Sequence, residues 1–319
     1  CLGEPRVAAA MLAGGAVALA DTRDANLRRL RSALPGAELH RLHLPSLAGP
    51  FEPGDVSYVS SWEGAAAVAV VRDGAPESGS ASAGGALASG RGAALGPRRV
   101  MIMLETGDER EGVSPDGFLA LAARIADDRR LRLEGVATNY ACFKGAPEGI
   151  RRSVEAVVSA AEALRASALP GERVSGGNSS LLRMLADGEE LPAGMTELRC
   201  GEALLLGQDA LYYRPLPGCR QDACVLRAEV VEEYTRPTAE GSALRLVLDV
   251  GRQDLGGGAV EFDRPGLREI GRSADYMVVE VDAGHSSIPA GAAIAMIPAY
   301  ETLVAAWTSP YVEVKLFGA

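Results

Sequence analysis

The stretch that decides the fold is LEGVATNYACFKGAPEGIRRSVEAVVSAAEALRASALPGERVSG, residues 133–176. It begins with an apolar run typical of a buried strand, 133–140, and ends with a second such run, 172–176. Between them, over 147–167, apolar residues recur at helical spacing and Arg and Glu occupy the positions between. A strand, an amphipathic helix and a second strand predict one β-α-β unit of a parallel sheet.

The same alternation runs through the first two thirds of the chain. A helix predicted at 23–33 follows Asp21 and Thr22, which are good capping residues, and carries Leu27 and Leu30 on one face. Consecutive units this numerous favour a closed barrel over an open sheet. The predicted strands are 16–20, 39–44, 56–60, 100–104, 133–140, 172–176 and 196–200.

This makes seven strands, whereas a (β/α)8 barrel needs eight. The helical run from Pro5 to Met11 has no strand ahead of it in the sequence. We therefore predict an α/β chain in which residues 1–215 form a (β/α)8 TIM-type barrel that lacks its first strand. Residues 74–97 are of low complexity and poor in large apolar groups, so they are interpreted as a flexible surface loop.

The last third of the chain, residues 216–319, is predicted to form a smaller β domain. Its apolar and alternating runs are separated by Gly and Pro, and a short helix is predicted at 301–307. The predicted strands of this domain are 224–234, 243–250, 276–281, 293–297 and 311–317.

Composition excludes several classes of function. A net charge of −10 and a pI near 5.0 argue against a nucleic-acid partner. No run of eighteen apolar residues occurs and the mean hydropathy is +0.06, so we expect no membrane partner and a cytoplasmic location. Five scattered cysteines without a CxxC pair, and three histidines without ligand spacing, predict a reducing compartment and no metal site.

Basic residues are almost all arginine. The chain has 32 Lys and Arg residues, and only Lys144 and Lys315 are lysines. Chemistry that requires a lysine therefore has two candidates in this sequence.

Four stretches follow predicted strands, where a barrel gathers its functional residues. One of them, SGGNSSLL, ends a strand and begins a helix, so its glycines and free N–H groups suit an anion such as phosphate, although it is also an ordinary turn. Another places Arg199 after a late strand, where it either helps to bind an anion or is an ordinary surface charge. The four stretches are 105–112, 138–143, 175–182 and 198–207.

Taken together, these motifs resemble the alanine/ornithine racemase family of enzymes that depend on pyridoxal 5′-phosphate (PLP). The resemblance implies a barrel followed by a β domain, PLP as cofactor, an amino-acid substrate and a homodimer. The chain departs from the family at 74–97, at the short connection 236–243 and at His43, where relatives usually have Arg. The matching stretches are 20–30, 105–112, 135–143, 174–180, 198–207, 249–254, 273–281 and 307–315.

The resemblance implies roles for residues of this sequence. Arg110 would contact the phenolic oxygen of PLP, Asn139 would lie beside the pyridine ring, and Arg199 would face the ring nitrogen. A guanidinium stays charged at ordinary pH, so it would keep that nitrogen unprotonated and suppress transamination. The phosphate would be held by Ser175, Gly176, Gly177, Asn178 and Ser179, joined by Tyr311.

In relatives, the lysine that forms the Schiff base with PLP lies on the first strand, a few residues before the segment that matches Cys1. The resemblance implies that this lysine is not in the present chain, and Lys144, on a loop, is a weak substitute. The favoured interpretation is a truncated sequence of a racemase. The alternative is a relative that has lost activity, and the DNA upstream of Cys1 distinguishes the two.

Racemisation needs an acid–base group on each face of a planar Cα carbanion. The sequence offers four candidates for the second group: Cys142, Asp254, Tyr300 and Tyr311. Cys142 is alternatively a buried structural thiol. In alanine racemase, a tyrosine from the partner subunit's C-terminal domain supplies this second acid–base group. The comparable stretch, DVGRQD at 249–254, has no tyrosine, so that assignment does not carry over.

The sequence therefore predicts a PLP-dependent racemase that interconverts L- and D-amino acids of the ornithine or alanine class. The alternative is a non-catalytic PLP-binding or regulatory homologue without the lysine, and PLP-dependent decarboxylation is less favoured. Asp108 and Glu111 are expected either to contact a substrate ammonium or to be solvated.

Overall fold

A computed structural model describes residues 2–71, 96–144, 146–239 and 241–318, which form two compact units. The first unit contains Cys1–Gly201 and Asp209–Tyr213, and the second contains Glu202–Gln208 and Arg214–Ala319. The sequence predicts one boundary, after residue 215. The predicted low-complexity loop lies outside the described residues, apart from Gly96 and Pro97.

The first unit is built on six strands that pair in sequential order, each parallel to its neighbour, as in a β/α barrel. The strands are β1 (Leu19–Asp21), β2 (Leu39–Arg41), β3 (Val56–Val59), β4 (Arg98–Leu104), β5 (Leu131–Thr138) and β6 (Arg173–Ser175). The helices are α1 (Pro5–Ala13), α2 (Asp24–Ala33), α3 (Trp62–Val70), α4 (Pro115–Asp127), α5 (Ile150–Ala166) and α6 (Leu182–Ala186).

Local sequence explains where two of these helices begin. In α4, the Ser114 hydroxyl accepts a hydrogen bond from the N–H of Gly117, and proline occupies the first turn, where its missing N–H costs nothing. The cap predicted for α2 is different: Arg23 is the capping residue and makes no side-chain cap bond. Asp21 instead accepts from the N–H of Arg23 at 2.9 Å, just before the helix.

The helix predicted at 147–167 is confirmed as α5, preceded by a 3₁₀ turn at Pro147–Gly149. Val154, Val157 and Leu164 recur at helical spacing and are fully buried in the main apolar cluster, which also contains residues of β3 to β6. This face packs α5 against the sheet, because residues three and four apart share one side of a helix.

The opposite face of the sheet has its own buried cluster. Successive side chains of a strand point to opposite faces. Val59 and Ile102 therefore join the helix-facing cluster, whereas their neighbours point the other way. This inner cluster consists of Val56, Tyr58, Met101, Met103 and Ala137.

Five charged side chains form a connected network at or near the beginnings of the strands. Arg173 donates to Glu38 at 2.8 Å and to Glu197 at 2.7 Å. Arg99 donates to Glu38 at 2.8 Å and to Glu134 at 3.0 Å. Burial alone would raise the pKa of the Glu38 carboxyl, but hydrogen bonds from His40, Arg99 and Arg173 outweigh it and lower the pKa to about 2. We call these five residues the charged layer.

The predicted strand at 196–200 is wrong in extent, because only Glu197 forms a bridge, parallel to Ser175. The N–H of Thr196 donates to the carbonyl of Val174 at 2.9 Å, but the N–H of Arg199 donates to the carbonyl of Gly177, which lies in the turn beyond β6. The backbone at Arg199 therefore bonds to the turn and does not continue the strand-to-strand hydrogen bonds with β6. Residues 196–199 nevertheless lie beside β6, where the next strand in this order belongs.

The second unit contains an antiparallel sheet of six strands in the order β10-β11-β8-β7-β12-β9. Its strands are β7 (Leu226–Thr238), β8 (Gly241–Leu248), β9 (Val260–Phe262), β10 (Leu267–Arg272), β11 (Met277–Val281) and β12 (Ala293–Pro298). Its helices are α7 (Glu202–Leu206), α8 (Arg252–Leu255) and α9 (Tyr300–Thr308). A separate buried cluster, which includes Val230, Leu246 and Met277, fills this unit.

Most predicted elements of the second unit are confirmed, namely four of the five strands and the helix at α9. The predicted strand at 311–317 is wrong, because among the described residues it pairs with no other strand. Tyr311 and Phe317 are exposed, whereas Val312 packs against the buried cluster of this unit. Strands β9 and β10 were not predicted, since β9 is only three residues long and β10, LREIGR, has neither an apolar run nor a regular alternation.

Candidate functional site

Two buried glycines, Gly176 and Gly177, shape the turn after β6. Gly177 adopts a positive φ of 128°, which few residues other than glycine accept. A Cβ at Gly176 would lie 2.0 Å from the sulfur of Met195, so a larger residue there would require the Met195 side chain to move. The Asn178 side chain then caps the following 3₁₀ turn by accepting from the N–H of Ser180 at 2.9 Å. Glycine conformation and an asparagine cap thus define the turn at this strand end.

Three serine hydroxyls in this turn are buried. Ser175 is fully buried, and Ser179 and Ser180 are almost so. Ser179 Oγ accepts from the N–H of Gly201 at 3.2 Å. Ser180 Oγ has no hydrogen-bond partner, although a buried hydroxyl without one is costly. An anion at this turn would satisfy it.

Asn178 also joins the turn to the end of β5. Its Nδ2 donates to Asn139 Oδ1 at 2.8 Å and to the carbonyl of Tyr140 at 3.0 Å. Asn139 Nδ2 in turn donates to Asp108 Oδ2 at 3.4 Å. The predicted site residues Asn139 and Asn178 are therefore in direct contact, and Asp108 connects them to the segment after β4.

Asp108 is a buried anchor, neither solvated nor free to contact a substrate ammonium. It is 2% exposed, and one of its oxygens accepts from three consecutive backbone N–H groups, those of Cys142, Phe143 and Lys144, at 2.9 to 3.1 Å. This carboxylate therefore fixes the loop after β5. Sequence reasoning missed the role, whose only signal was an Asp among glycine and charged residues after a strand.

Arg199 reaches from the segment beside β6 to the ends of β5 and β6. One terminal nitrogen donates to Ser175 Oγ, and the other donates to the carbonyl of Thr138 at 2.5 Å. Arg199 also lies with its guanidinium carbon 5.2 Å from the ring centre of Tyr58. The structure thus places a half-buried cation next to the serine-rich turn.

Arg110 and Cys142 lie in contact at the outer edge of this region. Arg110 Nη1 lies 2.8 Å from Cys142 Sγ, and Cys142 is exposed rather than buried. Glu111 accepts hydrogen bonds from Arg110 through both carboxylate oxygens, so the two side chains form an ion pair. The contact with Glu111 raises the pKa of the Arg110 guanidinium, which therefore stays charged.

Both lysines of the sequence are exposed and paired. Lys144 donates to Glu109 at 2.5 Å, and Lys315 lies 3.0 Å from Glu313. Neither side chain belongs to the inner face of the sheet.

The remaining predicted residues, Asp254, Tyr300 and Tyr311, lie in the second unit. Asp254 accepts from Ser309 Oγ at 2.9 Å, and Tyr300 is the first residue of α9. Asp254 and Tyr311 line one cavity of about 710 Å³, together with Asp249 and Asp275. The structure thus brings Asp254 and Tyr311 to one cavity and leaves Tyr300 outside it.

The described residues contain neither a metal-binding cluster nor a membrane-spanning helix. Within 2–71, 96–144, 146–239 and 241–318, no three His, Cys, Asp or Glu side chains are placed to hold a metal ion together. In the same ranges, no helix has the length and apolar character required to cross a membrane.

The decisive comparison is with protein families: residues 1–209 match the family model of the alanine racemase N-terminal domain. The chain belongs to this family. The serine-rich turn, Asn139 and Arg199 all fall within the matched residues, so the described geometry is part of an alanine racemase N-terminal domain.

Two curated relatives of this racemase-family chain act on amino acids with a second amino group. Ornithine racemase of Acetoanaerobium sticklandii is 28% identical over 237 residues, which are 68% of this chain and 67% of the relative. Lysine racemase of Thermotoga maritima is 29% identical over 235 residues, 67% of this chain and 64% of the relative. The matches thus span about two thirds of each curated relative.

Solved structures confirm the fold of the racemase-family chain. Alanine racemase from a D-cycloserine-producing Streptomyces lavendulae has a TM-score of 0.69 at 20% identity, over 99% of this chain and 87% of its own. D-threonine aldolase from Filomicrobium marinum has a TM-score of 0.66 at 19% identity, over 95% of this chain and 79% of its own. At these identities the likeness concerns the fold alone, a β/α barrel followed by a β domain, as predicted.

Proposed function

We propose that this chain is the PLP-binding chain of an amino-acid racemase whose substrate is a diamino acid, ornithine or lysine. One observation carries the proposal: a buried serine-rich turn with an unsatisfied hydroxyl lies within reach of a half-buried arginine in a racemase-family domain. When bound, PLP supplies the electron withdrawal that loosens the Cα proton of an amino acid. The remaining requirements fall to the protein.

The first requirement is to hold the phosphate. The residues present fit a phosphate, because the turn carries three buried hydroxyls and the cationic Arg199 donates to one of them, Ser175 Oγ. The unpartnered Ser180 Oγ supports this assignment and extends the predicted set 175–179 by one residue. Tyr311, predicted to join them, stays a proposal.

The second requirement is to orient the ring. Asn139 is held by Asn178 and Asp108, so its amide has one orientation beside the proposed ring site. Arg199 is held by Ser175 and by the carbonyl of Thr138, and would face the ring nitrogen. A guanidinium at this position keeps a facing nitrogen unprotonated and so opposes transamination. Arg110 is proposed to contact the phenolic oxygen.

The third requirement is to move a proton on each face of Cα. Cys142 lies near the proposed ring site through its neighbours Asn139 and Arg110, and its exposure leaves the sulfur accessible. Asp254, Tyr300 and Tyr311 belong to the second unit, and they are proposed to act across a homodimer, as the family implies.

The substrate class is proposed from the curated relatives. Both relatives, ornithine racemase and lysine racemase, are named for amino acids that carry a side-chain ammonium. In the cavity that Asp254 also lines, Asp249 and Asp275 offer carboxylates to such a group. The described contacts of Asp108 exclude it from this role.

The test has a binding arm and a turnover arm. Fluorescence titration with PLP is expected to show saturable binding that Arg199→Ala weakens about tenfold or more, roughly 1.4 kcal/mol. Arg151→Ala, which removes an exposed arginine of α5 paired with Glu189, is the control and is expected to bind normally. Absence of PLP binding by the unmodified protein contradicts the cofactor assignment.

In the turnover arm, chiral chromatography follows L-ornithine, L-lysine and L-alanine incubated with PLP and the complete gene product. D-ornithine or D-lysine is expected to form faster than D-alanine. Faster formation of D-alanine contradicts the substrate class. PLP binding without interconversion of any amino acid favours the non-catalytic homologue instead.

A further inference from the structure

Tyr58 is a fully buried tyrosine in the middle of β3, and the proposed function gives it no role. It belongs to the inner cluster, among Val56, Met101 and Met103. Burial raises the pKa of its phenol, so the hydroxyl keeps its proton. A buried tyrosine hydroxyl needs a partner, and its partner identifies what the residue does.

The hydroxyl of Tyr58 is paired with His40. Their contact, Tyr58 Oη to His40 Nδ1, measures 3.4 Å, and the other ring nitrogen, Nε2, lies 2.7 Å from the carboxylate of Glu38. Burial lowers the pKa of the His40 imidazole against the opposing effect of Glu38, which keeps the ring neutral. Nε2 also lies 3.3 Å from Arg173 Nη2, but its contact with Glu38 is much shorter. A carboxylate only accepts, so we assign the hydrogen to Nε2, and Nδ1 then accepts from the tyrosine.

Glu38 is itself fixed by the charged layer. Arg99 and Arg173 each donate to it at 2.8 Å. A column of contacts therefore runs from the charged layer through His40 to Tyr58. At its far end the tyrosine ring meets Arg199, whose guanidinium carbon lies 5.2 Å from the ring centre, within the range of a cation–π contact.

Arg199 is thereby held from two directions. Ser175 and the carbonyl of Thr138 bind its terminal nitrogens, and the Tyr58 ring supports the guanidinium from β3. A long arginine has several rotatable bonds, and two hydrogen bonds from one edge leave its tilt free. A rigid ring anchored by its own hydroxyl removes that freedom, and a fixed donor binds better than a mobile one because less entropy is lost.

We propose that Tyr58 is a positioning residue that, anchored by His40, holds Arg199 in the orientation in which it meets the ring nitrogen of the cofactor. This inference rests on the proposed function, since it presumes a pyridine ring at Arg199. Tyr58 acts through Arg199 and has no assigned contact with the substrate.

The test separates ring-nitrogen recognition from phosphate binding and needs no turnover. Isothermal titration measures the Kd of pyridoxine 5′-phosphate and of benzyl phosphate, which has the phosphate but no ring nitrogen. The ratio of the two Kd values reports the preference for the nitrogen. Tyr58→Leu removes the ring, and Tyr58→Phe removes only the hydroxyl, which contacts His40 and Arg199. Met101→Leu is a packing control from the same inner cluster.

Tyr58→Leu is expected to lower the preference about fivefold, and Tyr58→Phe about twofold, the size of one cation–π contact or one hydrogen bond. Benzyl phosphate is expected to bind these variants as it binds the unmodified protein, and Met101→Leu is expected to keep the full preference. In an Arg199→Ala background, Tyr58→Leu is expected to add nothing, because the group that it positions is gone.

Two results overturn the inference alone: a preference that neither Tyr58 variant changes, or an equal loss of affinity for both ligands, which marks a purely structural tyrosine. If Tyr58→Leu does not fold, the Tyr58→Phe ratio decides. An unmodified protein that binds neither ligand overturns the proposed function together with the inference.

Discussion

Asn178 donates a hydrogen bond to Asn139 over 2.8 Å, and this contact joins the turn after β6 to the end of β5. The same Asn178 side chain accepts from the N–H of Ser180, so one residue both shapes the turn and connects it to the next strand. The turn and the residue beside the proposed ring site are therefore coupled.

Asn178→Ala is predicted to weaken PLP binding about tenfold and to lower the free energy of unfolding by about 1–2 kcal/mol. The variant loses a cap and a buried hydrogen bond together. Fluorescence titration and urea denaturation measure the two effects. Asn26→Ala is the matched control, because Asn26 also bonds a neighbouring side chain, that of Asp21, but lies on α2. Normal PLP affinity in Asn178→Ala would remove the turn from the cofactor site.

Asp108→Asn is predicted to lower the free energy of unfolding by about 1–3 kcal/mol, because a neutral amide replaces the carboxylate that accepts three backbone N–H groups. Hydrogen exchange is expected to accelerate at residues 142–144. Asp187→Asn, at an exposed position paired with Arg183, is expected to change stability by less than about 0.5 kcal/mol. Equal effects of the two substitutions would contradict the anchoring role of Asp108.

The charged layer predicts a dependence of stability on pH. The pKa of the Glu38 carboxyl is about 2 in the folded protein and 4.5 for an unperturbed glutamate, so its contribution is complete above pH 4.5. As the pH falls from 4.5 to about 2, the unfolded chain takes up the proton first and the contribution is lost. We expect a loss of about 1–2 kcal/mol, since partial exposure screens the full effect.

Glu38→Gln is predicted to flatten the stability profile over this interval in urea denaturation between pH 2 and 5. Glu155→Gln, which removes one exposed carboxyl of α5, serves as the control and is expected to keep the slope. A profile in Glu38→Gln as steep as that of the unmodified protein would refute the assignment to Glu38.

Gly135→Ala is predicted to destabilise the first unit by about 1–3 kcal/mol or more, the usual cost of overpacking. Gly135 pairs with Arg173 across β5 and β6, and a Cβ there would lie 1.9 Å from the carbonyl oxygen of Arg173. Thermal unfolding measures the loss. Gly201→Ala introduces a methyl group into open space and is expected to be tolerated, so a similar fall in Tm for both would count against the steric cause.

The sequence predicted those elements whose periodicity is set locally. Val154, Val157 and Leu164 mark the buried face of α5 in the sequence itself, and the alternation of apolar and polar residues located β8 and β11. The segment 311–317 has the same alternation but pairs with no strand in the described part of the chain. A local pattern therefore predicted a strand there that tertiary pairing does not supply.

The site was predictable where backbone chemistry shows in the sequence and hidden where it depends on distant contacts. Gly176, Gly177 and Asn178 predict a turn after the strand from the local sequence alone. The anchoring role of Asp108 depends on a loop more than thirty positions away, and the contact between Tyr58 and Arg199 depends on strands far apart in the sequence. No local pattern contains that information.

The central claim is that the turn at 175–180 and Arg199 together hold a phosphorylated pyridine, and a crystal structure of the protein with PLP tests it most directly. The account predicts phosphate oxygens within hydrogen-bonding distance of the Ser175 to Ser180 turn, including Ser180 Oγ, and the ring nitrogen facing Arg199. Phosphate density bound elsewhere, or a ring whose nitrogen points away from Arg199, would contradict it.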